Sequence, residues 1–170
     1  MTTPMTSPNE ARPNALSWLV LSATILVLDL WTKAIALANL ELHRPIAAID
    51  GMLNWMLTFN TGAAFSFLSD AGGWQRWFFS GLAIGVSTLL TVWLARTPRR
   101  DWRQALPFAL IIGGALGNLV DRLRYGYVVD FIDAYWHEYH WPAFNIADSA
   151  IVGGAIGLAV FTILLPAKAR

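Results

Sequence analysis

The sequence contains no cysteine, which excludes three kinds of chemistry at once. Disulfide frameworks, thiolate nucleophiles and cysteine-ligated metals all need this residue. Charge is also scarce: Asp, Glu, Lys and Arg make up 14% of 170 residues, and the net charge is +1. No basic cluster is interleaved with stacking aromatics, so nucleic acid is not expected as a partner. Any catalysis must therefore use oxygen or imidazole groups.

Hydrophobic residues make up 56% of the chain, and the mean hydropathy is +0.48. This share exceeds that of an ordinary soluble domain, so much of the chain must face lipid. A helix needs about 20 apolar residues to cross the hydrocarbon core. Four segments reach or approach that length and predict a membrane all-α fold with four transmembrane helices. They are residues 16–38, 77–95, 105–120 and 146–165.

The predicted organisation is one membrane domain over residues 16–166, flanked by a disordered tail at 1–15 and a short tail at 167–170. Seven Lys or Arg residues lie on one side of the predicted helices and four on the other. The larger group is Arg12, Arg96, Arg99, Arg100, Arg103, Lys168 and Arg170, and the smaller is Arg44, Arg76, Arg122 and Arg124. Because basic residues stay inside, both termini are predicted to be cytoplasmic. The two aromatic-rich connections, 43–76 and 122–145, then face outward.

The first segment also has features of a cleaved signal peptide, because Arg12 precedes an apolar run that ends in small residues. Asp29 and Lys33 interrupt that run before its alanines, which favours a retained membrane helix. These two residues are spaced i, i+4 on one helical face. We expect them to form a structural ion pair near the outer boundary.

A glycine repeat predicts which helices pack together. The run GGALG at residues 113–117 recurs as GGAIG at 153–157, and both contain the spacing Gly-x-x-x-Gly. Small residues let helix backbones approach closely in lipid, so the third and fourth helices should pack antiparallel. The polar end of the third helix, with Asn118, Asp121 and Arg122, would then lie beside Asp148.

The outward connections contain strand patterns. Apolar and aromatic residues alternate with polar ones over residues 53–59, and residues 125–132 are rich in aromatic and β-branched side chains. Both patterns favour strands. We predict a small β-sheet on the outer side of the membrane.

Asp130 and Asp148 are the leading candidates for catalysis, because each lies beside the end of an apolar segment. Neighbouring carboxylates push their pKa values apart and supply one acid and one base. Taken singly, Asp148 has the simpler interpretation of a helix cap and Asp130 that of a solvated loop acid. Ser149 with a histidine lacks a GxSxG-type elbow, and the run HEYH at 137–140 does not match the zinc pattern HExxH.

Four longer runs carry a family resemblance. They are DLWTK at residues 29–33, NTGAAFSF at 60–67, GGALGNLVDRLRYGYVVDF at 113–131 and FNIADSAI at 144–151. In order and spacing they resemble the bacterial lipoprotein signal peptidase family, also called signal peptidase II. The resemblance spans nearly the whole chain.

The resemblance implies a membrane aspartyl endopeptidase of the bacterial plasma (inner) membrane, with its active site facing the periplasm. Its substrates would be diacylglyceryl-modified prolipoproteins, cut before the lipid-modified cysteine, and membrane lipids and the inhibitor globomycin would also bind. No metal or other cofactor is implied. By motif match Asp130 and Asp148 are catalytic. Asn60, Gly62, Asn118, Arg122, Asn145 and Ala147 surround the substrate, and Asp29, Lys33 and Asp121 support the site.

Two other classes of protein would also place acids between membrane helices. A proton-coupled transporter would put them near the bilayer midplane, between paired broken helices. A non-catalytic scaffold would lose no function when either acid is neutralised.

The topology prediction can be tested directly because the chain has no native cysteine. We expect Arg100→Cys to be shielded from an impermeant thiol reagent in intact cells and Asp70→Cys to react with it. The reason is the basic-residue asymmetry, which places residues 96–103 in the cytoplasm. Labelling at position 100 but not at position 70 would contradict this orientation.

Overall fold

The computed structural model describes residues 13–62 and 73–161. These residues form four α-helices: α1, Leu19–Asn39; α2, Trp74–Arg96; α3, Trp102–Tyr125; and α4, Ile146–Ala159. A 3-10 turn, Ala15–Trp18, precedes α1. The helix positions agree with the sequence patterns to within a few residues where both are described, and the predicted last turn of α4, 162–165, lies outside the described residues. Pro107 lies inside α3, one turn beyond the start of the helix at Trp102.

Helix α3 is the centre of the bundle, since the other three helices pack against it. Glycines make this possible. A methyl group on Gly113 would lie 2.8 Å from the carbonyl oxygen of Ser22 in α1, and one on Gly114 would overlap the carbonyl oxygen of Ala147 in α4. A methyl group on Gly154 would lie 2.8 Å from the carbonyl oxygen of Pro107. The glycine repeat therefore does join α3 and α4, as predicted.

Within the described ranges, three helical stretches are long and apolar enough to cross a membrane: Ala15–Asn39, Trp74–Arg96 and Trp102–Tyr125. Helix α4 is apolar but has only 14 residues. It runs antiparallel to α3, and beyond its end the ring of Phe161 lies 5.1 Å from that of Trp102 at the start of α3. The fourth span remains a prediction.

A four-stranded antiparallel sheet covers one end of the bundle. Its strands are β1, Ile46–Ile49; β2, Leu53–Asn60; β3, Val128–Trp136; and β4, Tyr139–His140, in that order. The predicted strands are confirmed as β2 and β3. The second begins at Val128 rather than at residue 125 because α3 continues to Tyr125 and ends at Gly126, whose φ of 87° suits glycine.

The sheet is joined to the helices by a buried apolar cluster. Ala36 of α1 packs there with Leu57 of β2 and with Val129 and Phe131 of β3. Burying each of the larger side chains in this cluster stabilises the fold by about 1.5–3 kcal/mol. Asp130, between the last two, is thereby fixed at the end of the bundle where α4 begins.

Candidate active site

Asp130 is almost completely buried on β3, at 1% exposure, and both of its carboxylate oxygens accept hydrogen bonds. Asn145 Nδ2 donates to Oδ1 at 2.7 Å, and Asn60 Nδ2 donates to Oδ2 at 3.2 Å. Asn60 lies on β2, which pairs with β3 through Thr58 and Asp130. Asp130 is therefore not the solvated loop acid that its sequence position alone allowed.

Asp148 lies in the first turn of α4 and is part of a reciprocal cap. Its backbone N–H donates to Asn145 Oδ1 at 2.8 Å, and the Asn145 backbone N–H donates to Asp148 Oδ2 at 3.3 Å. Its other oxygen, Oδ1, accepts from Asn118 Nδ2 at 2.7 Å. The capping interpretation of Asp148 is thus confirmed, but the same carboxylate also belongs to a polar cluster.

The amides of Asn118 and Asn145 join the two acids. Asn145 Nδ2 donates to Asp130 and also approaches Asn118 Oδ1 at 3.3 Å. Asn118 Oδ1 accepts in addition from Lys33 Nζ at 3.1 Å. Since amide side chains donate and accept at fixed angles, this network fixes the orientation of both carboxylates.

Asp130 is held in a partly protonated state near neutral pH. Burial, followed by the negative charge of Asp148, raises the pKa of Asp130 to about 7. Hydrogen bonds from Asn60 and Asn145 and the charge of Lys33 oppose this rise without cancelling it. The arrangement therefore supplies a carboxylic acid proton beside a second carboxyl group, which is the requirement for acid–base chemistry by an aspartate pair.

Lys33 lies beneath the acids in a buried ion cluster. Its Nζ is 2.7 Å from Asp29 Oδ2 and 2.8 Å from Asp121 Oδ2, and all three side chains are at most 3% exposed. The predicted i, i+4 pair is present, and Asp121 joins it. Asp29 Oδ1 accepts from the backbone N–H of Ala147, at 2.9 Å, and Asp121 Oδ2 from that of Val129, at 3.1 Å. The cluster thus holds the start of α4 and the start of β3.

Arg122 connects α3 to the end of β2. Its Nη2 donates to the carbonyl oxygen of Gly62 at 3.2 Å, and its guanidinium lies 5.1 Å from the centre of the Phe79 ring. The backbone N–H of Gly62 donates to Asn60 Oδ1 at 3.0 Å. The rest of the motif that contains Asn60, residues 63–67, lies outside the described residues.

A cavity of about 440 Å³ opens beside Asp148. Of the predicted substrate residues, Asn60, Asn118 and Arg122 line it, whereas Asn145 and Ala147 are fully buried behind it. The opposite wall, Trp141, Pro142, Ala143 and Phe144, was not predicted from sequence, although the aromatic residues just before the acid motif were a usable signal.

A second cavity of about 260 Å³ lies among α2, α3 and α4 and is lined mainly by apolar side chains. It shares Asn118, Arg122, Asp148 and Ile151 with the first cavity. The two cavities therefore adjoin at Asp148.

The alternative nucleophile and metal patterns are not assembled. Ser149 Oγ donates to the Asn145 carbonyl oxygen at 3.0 Å, a bond within its own helix. His140 Nδ1 lies 2.8 Å from Asp133 Oδ1. In the described part of the chain, no three His, Asp or Glu residues are grouped as metal ligands.

The family model of signal peptidase (SPase) II matches residues 21–164 of this chain. The chain belongs to the signal peptidase II family. It is a membrane protease that cleaves signal peptides. The lipoprotein signal peptidase of Xanthomonas campestris is 63% identical over 149 residues, covering 88% of this chain and 89% of its own length. That of Xylella fastidiosa is 58% identical over 159 residues and covers 94% of both.

Two solved bacterial membrane enzymes, both determined by the in meso method, have the same fold. One, at 2.3 Å resolution, has a TM-score of 0.78 at 27% identity and covers 95% of this chain and 99% of its own. The other, at 1.9 Å, has a TM-score of 0.74 at 29% identity and covers 86% and 92%. The membrane-enzyme fold therefore extends over nearly the whole described chain.

The ion cluster generates a stability prediction. Lys33→Met removes the cation from Asp29 and Asp121, and breaking a buried ion pair in this way costs about 3–5 kcal/mol. We expect a clear fall in the thermal unfolding midpoint of the purified protein in detergent. Arg44→Met is the matched control, since it removes the cation from an exposed pair with Glu41 and should have little effect. Equal shifts for the two variants would contradict the structural role of Lys33.

Proposed function

We propose that this protein is an aspartyl endopeptidase that removes signal peptides from diacylglyceryl-modified prolipoproteins, cutting just before the lipid-modified cysteine. The observation that carries the proposal is the pair Asp130 and Asp148, joined by the amides of Asn118 and Asn145 beside an open cavity. Membership of the signal peptidase II family supports it.

In the proposed reaction Asp148 is the base and Asp130 the acid. Asp148 takes a proton from water, whose oxygen attacks the scissile carbonyl carbon while protonated Asp130 donates a hydrogen bond to the carbonyl oxygen. The tetrahedral intermediate collapses, the C–N bond breaks, and the proton passes to the leaving nitrogen. The products are a new carboxyl terminus and a free amine, so water is the only co-reactant.

The surroundings of each acid support this assignment. Asp148 lies in the first turn of α4, where its carboxylate accepts hydrogen bonds from the Asn145 backbone N–H and from Asn118 Nδ2. Asp130 is more deeply buried, and its pKa of about 7 keeps it protonated for much of the time at neutral pH. In this proposal the proton is on Asp130 and the negative charge is on Asp148.

The remaining predicted residues have two kinds of role in this proposal. Asn60, Asn118 and Arg122 line the cavity and present donors to the substrate backbone. Gly62 fixes the guanidinium of Arg122 through its carbonyl group. Asn145 and Ala147 are positioning residues, because the first orients both acids and the second ties α4 to Asp29. The ion cluster of Lys33, Asp29 and Asp121 holds the start of α4 and the start of β3 in place.

The two connected cavities suit a lipid-modified substrate. The smaller one has apolar walls from α2, α3 and α4 and reaches Asp148, so an acyl chain and a scissile bond have adjacent places. A lipid anchor at fixed depth also limits the search for the reactive geometry. In this proposal globomycin-type inhibitors occupy the same cleft.

The proposed topology has four spans, with both termini in the cytoplasm of a bacterium and the sheet on the periplasmic side of the plasma (inner) membrane. The contact between Phe161 and Trp102 supports the fourth span, because it brings the end of α4 level with the start of α3. The proposed domain, residues 16–166, includes all of these helices. A transporter is disfavoured because the acids lie at the sheet end of the bundle rather than at its middle.

Neutralising either acid should abolish cleavage. We expect Asp130→Asn and Asp148→Asn each to remove turnover, since neither acid replaces the other, and the double variant to be little worse than either. Cleavage of a lipidated prolipoprotein by purified protein is the assay, with thermal unfolding as the measure of fold. Asp50→Asn, in an exposed turn, is the control and should keep full activity. Near-normal turnover in either single variant would show that the paired-acid mechanism is wrong.

The lipid requirement separates this enzyme from a general membrane protease. Each buried methylene contributes about 0.8 kcal/mol to membrane anchoring, so two acyl chains hold the substrate cysteine far more firmly than a bare peptide. We expect the diacylglyceryl-modified precursor to be cleaved and the unmodified precursor to remain largely intact in side-by-side gel-shift assays. Comparable rates for the two precursors would mean that the lipid is not recognised.

A further inference from the structure

A second buried carboxylate, Asp133, lies on β3 three residues beyond Asp130 and has no part in the chemistry described above. It is 1% exposed. Asn54 Nδ2 of β2 donates to its Oδ2 at 2.8 Å, and His140 Nδ1 of β4 lies 2.8 Å from its Oδ1. The three residues, which we call the Asn54–Asp133–His140 chain, connect three neighbouring strands through side chains.

The Asn54–Asp133–His140 chain ends at His140, directly before the cavity wall 141–144. Trp141 directly follows His140, and residues 141–144 line the larger cavity opposite Asn118 and Arg122. The backbone N–H of Trp141 donates to the Ala134 carbonyl oxygen at 2.7 Å, and Phe144 exchanges hydrogen bonds of 3.0 and 2.9 Å with Ile132. Pro142, between these attachments, has no N–H to donate. The position of the wall 141–144 therefore depends on how its two ends are attached to β3.

Strand β4, which directly precedes the wall 141–144, is too short to fix the position of the wall alone. Strand β4 has two residues, and Tyr139 beside His140 is 82% exposed. A hydrogen bond to an ionised carboxylate is about twice as strong as a neutral one and has a defined direction. The His140 ring also stacks on Tyr135, with centroids 5.1 Å apart, and the Tyr135 hydroxyl oxygen accepts from the Gly51 N–H at 2.9 Å. The contacts with Asp133 and Tyr135 therefore hold His140 in place directly before the wall 141–144.

We propose that Asp133 and His140 are positioning residues for substrate binding, holding the wall 141–144 at the distance from Asn118, Arg122 and Asp148 that the substrate needs. The inference rests on the proposed function, because it takes this cavity to be the substrate cavity. In this proposal the wall contacts the substrate from the side of the cavity opposite the acids. Losing the contact between Asp133 and His140 therefore weakens substrate binding more than it slows the chemical step.

Four variants of the full-length protein test this inference. His140→Leu removes the donor, whereas His140→Asn keeps an N–H donor close to the position of Nδ1. Asp133→Leu removes both hydrogen bonds, whereas asparagine alone at this position would keep both, because the His140 ring can change tautomer and accept at Nδ1. Combining Asp133→Asn with Asn54→Asp restores both, because residue 133 then accepts from His140 and donates to residue 54.

We expect KM for a diacylglyceryl-modified precursor to rise about tenfold in His140→Leu, the effect of losing one hydrogen bond to a charged group, and at least as much in Asp133→Leu. kcat should change little. His140→Asn and the exchanged pair should return KM towards the wild-type value. Thermal unfolding is measured for every variant, so that a general loss of stability is distinguished from a specific loss of binding.

A fall in kcat at unchanged KM, or an exchanged pair no better than Asp133→Leu, would overturn the positioning role. If His140→Leu or Asp133→Leu does not fold, His140→Asn and the exchanged pair decide, and a raised KM in both of these rejects the inference. Failure of the wild-type protein to cleave the lipidated precursor would instead refute the proposed function, so the two failures are distinguishable.

Discussion

The site depends on one buried ammonium group. Lys33 Nζ lies within 3.1 Å of Asp29, Asp121 and Asn118, and its charge is what makes two acids tolerable between apolar helices. Burying an isolated, unpaired carboxylate between apolar helices would cost several kcal/mol of stability. The partners of Lys33 then hold backbone N–H groups of Ala147 and Val129, each next to an acid of the proposed pair. The ion cluster therefore sets the geometry of Asp130 and Asp148 without contacting either.

The second constraint is close helix packing around α3. Gly117 shows how the two constraints meet, because a methyl group there would lie 2.5 Å from Asp29 Oδ2 and 3.2 Å from the Ala147 side chain. Only a glycine leaves room for the carboxylate of α1 to reach the N-terminus of α4 across α3. Small residues in this bundle thus bring helices together and also open a passage for a buried polar contact.

Local patterns predicted much of this arrangement. The i, i+4 spacing predicted the Asp29 and Lys33 pair, and the glycine repeat predicted that α3 and α4 pack together. Alternation predicted strand β2, and aromatic and β-branched content predicted β3. Contacts between distant segments were not predictable in the same way. The bond from Asp133 to His140 depends on a turn at His137, which has a positive φ of 54°. A strand of two residues such as β4 has no recognisable periodicity, so the cavity wall 141–144 was missed.

The placement of the acids at the sheet end of the bundle has a physical reason within the proposed mechanism. Hydrolysis consumes water, which is scarce between lipid-facing helices, and the leaving signal peptide is itself a membrane segment. A site at the bundle end suits both requirements, because β3 brings Asp130 to the first turn of α4, beside the apolar cavity. The sheet backbone needs hydrogen-bond partners that lipid cannot supply, and it obtains them by pairing four strands above the helices. In the proposed mechanism the acids therefore share one end of the bundle with the sheet, because hydrolysis needs water and the paired strands satisfy the backbone that positions Asp130.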